Sequence, residues 1–428
     1  MEIKDIHAFE VLDSRGRPTI CCKMICEGIE VLASVPSGAS RGDKEAIELR
    51  DEDNRFFGQG VRKAINNIIT RIKPAVVYKT FCSQEEFDHF LLDLDGTKNK
   101  SNLGANAVLS VSLCFFKALA KKNGLEPWQL CASLLEEEAS LPIPLINVIN
   151  GGAHADNPLD FQEFMIVPFG FDTFSEALRA GVEIFYILKK TLAARGHTVS
   201  VGDEGGFAPK LQAPGEVLEL LCECVNKSNY VLGKNIGLAL DVAASELFKS
   251  GRYVFRKSSG ESFTSDDLIS IYEDLVSRYP IISIEDPFAQ EDYDGWRKFY
   301  QKFSEKIRVV GDDLVCTNPE LIQQAFDNGL INSVLIKPNQ IGTVTETIKA
   351  ISLGKSYRKR QPIIKTSSIV VSHRSGETED TFIADLAVGS SADFIKTGSV
   401  CRGERTCKYN RLLEIEEFYR LKLKKVEI

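Results

Sequence analysis

The sequence predicts an α/β fold in which a closed barrel of strand–helix repeats follows a smaller N-terminal α+β unit. Three observations predict it. Four apolar runs of strand length, at 237–240, 281–284, 308–311 and 333–336, each end on a charged residue: Asp241, Glu285, Asp312 and Lys337. Segments of helical periodicity at 266–277, 296–303 and 319–326 separate the runs. An apolar strand followed by an amphipathic helix, repeated, is the pattern of parallel strands covered on both faces. Residues 2–34, in contrast, alternate apolar and polar and are rich in β-branched residues, which predicts two or three antiparallel strands with a turn at 13–18.

In a closed α/β barrel the C-terminal strand ends open onto one mouth. Asp241, Glu285, Asp312 and Lys337 would then meet around one pocket. A carboxylate after a strand is often only the N-cap of the next helix. Three of them, followed by a lysine at the same point of the repeat, favour a site. Three oxygen ligands suit Mg²⁺, a hard cation that takes few carboxylates and keeps places for water and substrate. A unit charge ~5 Å from a lysine, at an effective dielectric of ~20, is worth roughly 3 kcal/mol, or about two pKa units below ~10.4. Lys337 is therefore expected to have a lowered pKa and to serve as a general base.

The chain has 428 residues, 43% of them hydrophobic, enough for a barrel and a smaller domain. Its net charge of −8 argues against a nucleic-acid footprint, which needs a basic face. The longest apolar run, 107–116, is too short to span a membrane. The first residues lack the apolar core of a signal peptide. The eleven cysteines are scattered, and neither Cys22/Cys26 nor Cys222/Cys224 has zinc-ribbon spacing. Reduced thiols and a cytoplasmic location are expected.

In chain order, the strands of 2–34 lead into a Pro-, Gly- and Ser-rich loop at 35–42, able to move or to bring backbone close to a ligand. Helical periodicity follows at 61–77, 84–92 and 105–121. Residues 136–144, acidic and then broken by proline, read as a linker. The expected division is a domain at 1–135 and a barrel at 141–428. The barrel opens with a strand at 143–150 and a glycine loop carrying His154. A strand at 161–167 holds an inward Glu163, and a helix covers 174–194. The glycine-rich loop 201–209 contains Asp203 and Glu204, which suggests a positioned acid, although a tight turn is the plainer reading of that segment alone. After Lys337 come strands at 363–373 and 393–396 and a last helix at 405–425. Arg374 and Ser375 follow one of these strands and Lys396 ends the other, giving a basic side opposite the acidic one. Such a mouth suits an acidic, phosphorylated small molecule.

Eight segments together resemble the enolase family over nearly the whole length: LDSRG at 12–16, VPSGAS at 35–40, GANA at 104–107, NGGAHADN at 150–157, FQEFMI at 161–166, GDEGGFAP at 202–209, NQIG at 339–342 and SHRSGETED at 372–380. The resemblance implies a TIM-like (β/α)8 barrel of the enolase type, its first strands departing from all-parallel order, with an N-terminal capping domain. It implies the reversible, Mg²⁺-dependent dehydration of 2-phospho-D-glycerate to phosphoenolpyruvate, with two Mg²⁺ per site, the second arriving with substrate. A lysine base beside Mg²⁺ is the general pattern of this superfamily. By the same resemblance Asp241, Glu285 and Asp312 hold the first ion, and Ser40 meets the second as its loop closes. Lys337 is the base, Glu204 the acid, and Glu163 a neighbouring carboxylate whose charge would raise the Glu204 pKa and keep it protonated. His154 closes over substrate, Arg374 and Ser375 bind phosphate, and Lys396 contacts the substrate carboxylate. Members assemble at least as homodimers.

The sequence departs from the family pattern at Arg41, where threonine is usual, and by extra residues around 355–368. A racemase or cycloisomerase of the same superfamily would share the barrel acids and lysine but would not need the loops at 37–40, 202–206 and 372–375 together. The remaining alternative is an enolase fold with an additional or substituted surface-binding role.

Overall fold

The computed structural model describes residues 1–39, 42–361 and 365–427, so Ser40, Arg41 and the middle of the 355–368 departure lie outside the described residues. The N-terminal domain opens with an antiparallel sheet, β1 (Ile3–Leu12), β2 (Pro18–Cys26) and β3 (Ile29–Ser34), with β2 in the middle. Helix Ala105–Lys122 is buried almost throughout because it is wedged between this sheet and the barrel, and so it is apolar on nearly every side. The segment expected as one helix at 61–77 contains a wider π turn, Ile68–Ile72. Pro74 explains this: it lacks an N–H and its ring crowds the carbonyl four residues back.

The barrel strands are β4 (Ile143–Asn150), β5 (Glu163–Pro168) and β6 (Ile236–Asp241), then β10 (Ile281–Glu285), β11 (Arg308–Gly311), β12 (Ser333–Ile336), β13 (Ile369–Ser372) and β14 (Phe394–Lys396). Between β6 and β10 a small three-stranded sheet, β7 (Phe248–Lys249), β8 (Arg252–Val254) and β9 (Ser262–Phe263), sits outside the barrel. The eight barrel strands close in the order β10, β11, β12, β13, β14, β4, β5, β6. Every residue of them is buried, as strands covered on both faces require. Only β5 runs against its neighbours, β4 and β6.

The expected boundaries shift in places. The linker is shorter than 136–144, because β4 begins at Ile143. The strand expected at 363–373 is Ile369–Ser372 among the described residues. The last helix, Gly403–Tyr419, stops short of 425 because Arg420 turns left-handed, and Leu423 then bridges to Leu141. Between the domains, Asp88 accepts from the Thr345 backbone and hydroxyl at 2.8 and 2.7 Å, and Lys117 meets Asp380 at 2.6 Å. Ser37 and Gly376 exchange two backbone bonds, 2.8 and 2.9 Å, which pin the root of the 35–42 loop over the barrel mouth.

Candidate active site

Parallel strands put Asp241, Glu285, Asp312, Lys337 and Lys396 at one end of the barrel. The reversal of β5 adds Glu163 there, since its first residue faces Asn150 of β4 and Asp241 of β6. Glu285 lies level with Asp241 in the adjoining pair. Loops bring in His154 and Glu204, and Arg374 and Ser375 follow β13. All of these except Lys337, which is part-buried, are buried. Ser40 lies outside the described residues.

Lys396 sits among the acids, not opposite them as the sequence suggested. Its Nζ is 2.8 Å from Asp241 Oδ2, 2.8 Å from Glu285 Oε2 and 3.3 Å from Glu163 Oε1. A long side chain on β14 can cross the mouth, and buried carboxylates draw a buried cation because neither is stable alone. Asp312 is held apart from the other two proposed ligands. It is ion-paired with Lys337 and accepts from Gln340 Nε2 at 2.8 Å. Among the described residues, the ligating atoms that lie within 4.8 Å of one another belong to Asp286, Asp312 and Asp313, and to His154, Glu163 and Glu204.

The electrostatics correct two expectations. Lys337 has a raised pKa, not a lowered one: burial, the largest influence, pulls it down, but the charges of Asp312 and Glu285 together outweigh it. Within the carboxylate pair the raised member is Glu163, not Glu204. Burial and then the charge of Glu204 push Glu163 well above the usual range. Burial pushes Glu204 up as well, but His154, His373, Arg405 and Lys396 surround it and bring it well below. Two adjacent buried carboxylates share one proton, and the cations decide which keeps it.

Arg374 forks onto Glu45, at 3.0 and 3.1 Å, and donates to Asn339 Oδ1 at 3.2 Å. A side chain at position 38 would come within 1.8 Å of Arg374 Nη2, so only glycine lets the loop cross the guanidinium there. Ser375 Oγ accepts from the Ala39 backbone at 2.7 Å and from Arg15 at 3.2 Å. Sequence reasoning missed Glu45, Asn147, His373 and Arg405 as members of this site. His373 stood inside a quoted motif, whereas Arg405 opens the last helix and carries no local signal.

The site fits a hard divalent cation by its donor set. Its three carboxylates are buried, burial and Asp241 push Glu285 up to about 8, and Gln162 Oε1 and Glu163 Oε2 have no hydrogen-bond partner. Acceptors exceed what Lys337, Lys396 and Arg374 satisfy, and oxygen donors of this kind suit Mg²⁺-like ions.

Known proteins match the chain in both halves. The family model of the enolase C-terminal TIM barrel domain covers residues 138–422, and that of the enolase N-terminal domain covers residues 3–130. An enolase of Campylobacter lari is 51% identical over 415 residues, which is 97% of each chain. With a barrel, a capping domain and a near full-length relative of the same description, the chain belongs to the enolase family.

Proposed function

We propose that this enolase, a lyase of the phosphopyruvate hydratase type, converts 2-phospho-D-glycerate to phosphoenolpyruvate reversibly, with Lys337 as base and Glu204 as acid. The observation that carries the assignment is their placement. Lys337 ends β12 beside Asp312, while Glu204 lies on a separate loop against Glu163 and His154. Lys337 Nζ takes the C2 proton, the C2–C3 double bond forms, and the C3 hydroxyl leaves as water with a proton from Glu204. Because Asp312 holds Lys337 protonated, Lys337 must first give up a proton to solvent as that ion pair opens, and the neutral amine then takes the C2 proton. Glu163 holds the proton of the carboxylate pair at rest. His154 Nδ1, 3.5 Å from an oxygen of each, stands where it can pass that proton to Glu204. Arg374 exchanges its fork on Glu45 for one on the substrate phosphate, assisted by Ser375, and Lys396 meets the substrate carboxylate.

Enolase membership implies a divalent metal. The proposed ions are two Mg²⁺, one on Asp241, Glu285 and Asp312 and one reaching Ser40. Bound there they would offset the charge of the substrate carboxylate and so make its α-proton removable. Turnover of 2-phosphoglycerate tests the reading. Activity should vanish with a chelator and return with Mg²⁺; full activity in metal-free buffer would contradict it.

The proposed division is 1–135 for the capping domain and 141–428 for the barrel. Phe9, Leu12 and Leu32 on the N-terminal sheet, and Phe418 and Tyr419 at the end of the last helix, expose apolar surface that a second copy would cover. At least a homodimer is expected, and light scattering at micromolar concentration should find one; a monomer would refute it. The described cysteines are free thiols, which suits a cytoplasmic setting. No helix among the described residues is long and apolar enough to cross a membrane.

A further inference from the structure

Arg405 is fully buried, and among the described residues it bonds to none of the proposed metal ligands; it meets the mouth from behind, through His373 and the backbone of Arg374 and Ser375. Its Nη1 lies 2.6 Å from His373 Nδ1 and donates to Arg374 O at 2.6 Å. Its Nη2 donates to Ser375 O at 2.7 Å, Asp203 O at 3.2 Å and Ser14 Oγ at 3.5 Å. A guanidinium has donors only. The imidazole nitrogen facing it must therefore accept, which leaves the His373 proton on Nε2. That nitrogen is 3.5 Å from Glu204 Oε2. Burial also pulls His373 well below the usual histidine range, so the ring is neutral. Asn147 Nδ2 donates to the same oxygen, Glu204 Oε2, at 3.1 Å. The other oxygen, Oε1, faces His154 Nδ1 at 3.5 Å.

We infer that Arg405 is a positioning residue for the acid: through the His373 tautomer it aims a ring N–H at Glu204 Oε2, beside the Asn147 amide that donates to that oxygen, and so leaves Oε1 to carry and deliver the proton. An oxygen that accepts from one N–H and faces a second is the poorer place for a proton of its own. Only Oε1 lies on the side of His154, from which the proton of the pair arrives. Gly398 makes room for the arrangement: at φ +79° it passes so close that a side chain there would come within 2.8 Å of Arg405 Cδ and of Glu204 O. The inference rests on Glu204 as the acid, but its first test does not.

That test uses the unaltered protein. With five histidines in the chain, long-range ¹H–¹⁵N spectra resolve the tautomers, and His373→Gln assigns the signal. A neutral His373 with its proton on Nε2 is expected; a proton on Nδ1, or on both nitrogens, overturns the inference whatever the role of Glu204. The second test is kinetic. Arg405→Gln should slow water loss at least about tenfold while C2 proton exchange stays within about twofold, because an acid step is worth up to a few orders of magnitude and the base is untouched. In a His373→Gln background, where the amide can donate to Glu204 without Arg405, the added loss should be under about twofold. If Arg405 only braces the backbone at Asp203, Arg374 and Ser375, exchange and water loss fall together, and equally in both backgrounds; that result overturns the inference.

Discussion

Lys337→Ala should lower exchange of the substrate C2 proton with solvent deuterium by at least about a hundredfold, the scale of one positioned base. Among the described residues at the mouth, the other cations are not placed to replace it. Lys396 is committed to Asp241, Glu285 and Glu163. Arg374 is a guanidinium, forked onto Glu45, and does not give up its proton. Glu163 and Glu204 belong to the acid side, around His154. The variant leaves Asp312 without its cation beside Asp286 and Asp313, yet Asp312 keeps the Gln340 amide at 2.8 Å. Circular dichroism should therefore show a folded protein, and the loss would be one of chemistry.

Glu204→Gln should block water loss by at least about a hundredfold while keeping much of the C2 exchange. The amide keeps the volume of the side chain and an oxygen to accept from Asn147, but it has no acidic proton for the leaving hydroxyl. Lys337 lies elsewhere, directly after β12, and keeps its Asp312 partner in this variant. The two variants thus separate the halves of one reaction.

Four strand ends were legible because a barrel strand buried on both faces reads as a continuous apolar run, and in these four a charge stops it. Asp241, Glu285, Asp312 and Lys337 could be placed from that alone. The reversal of β5 was not, because periodicity is the same in either direction; only the pairing of Glu163 with Asp241 shows that its first residue faces the mouth. Lys396 was placed on the wrong side since its position depends on how β14 closes the barrel against β4, a long-range contact without local pattern. That Glu163 is pushed up and Glu204 down depends on groups from distant segments, Arg405 and Lys396 among them. Helix Pro214–Asn226 fell outside the strand-end argument because it follows the glycine-rich loop 201–209 and no charged strand end marked it.

The central claim is that base and acid are different residues, held by different partners, around one mouth. The most direct measurement follows C2 deuterium incorporation and water loss together, from 2-phosphoglycerate in deuterated buffer, for Lys337→Ala and Glu204→Gln. The account predicts that Lys337→Ala loses both signals and that Glu204→Gln loses water release while still incorporating deuterium. Rapid C2 exchange in Lys337→Ala together with its loss in Glu204→Gln would show the two roles reversed.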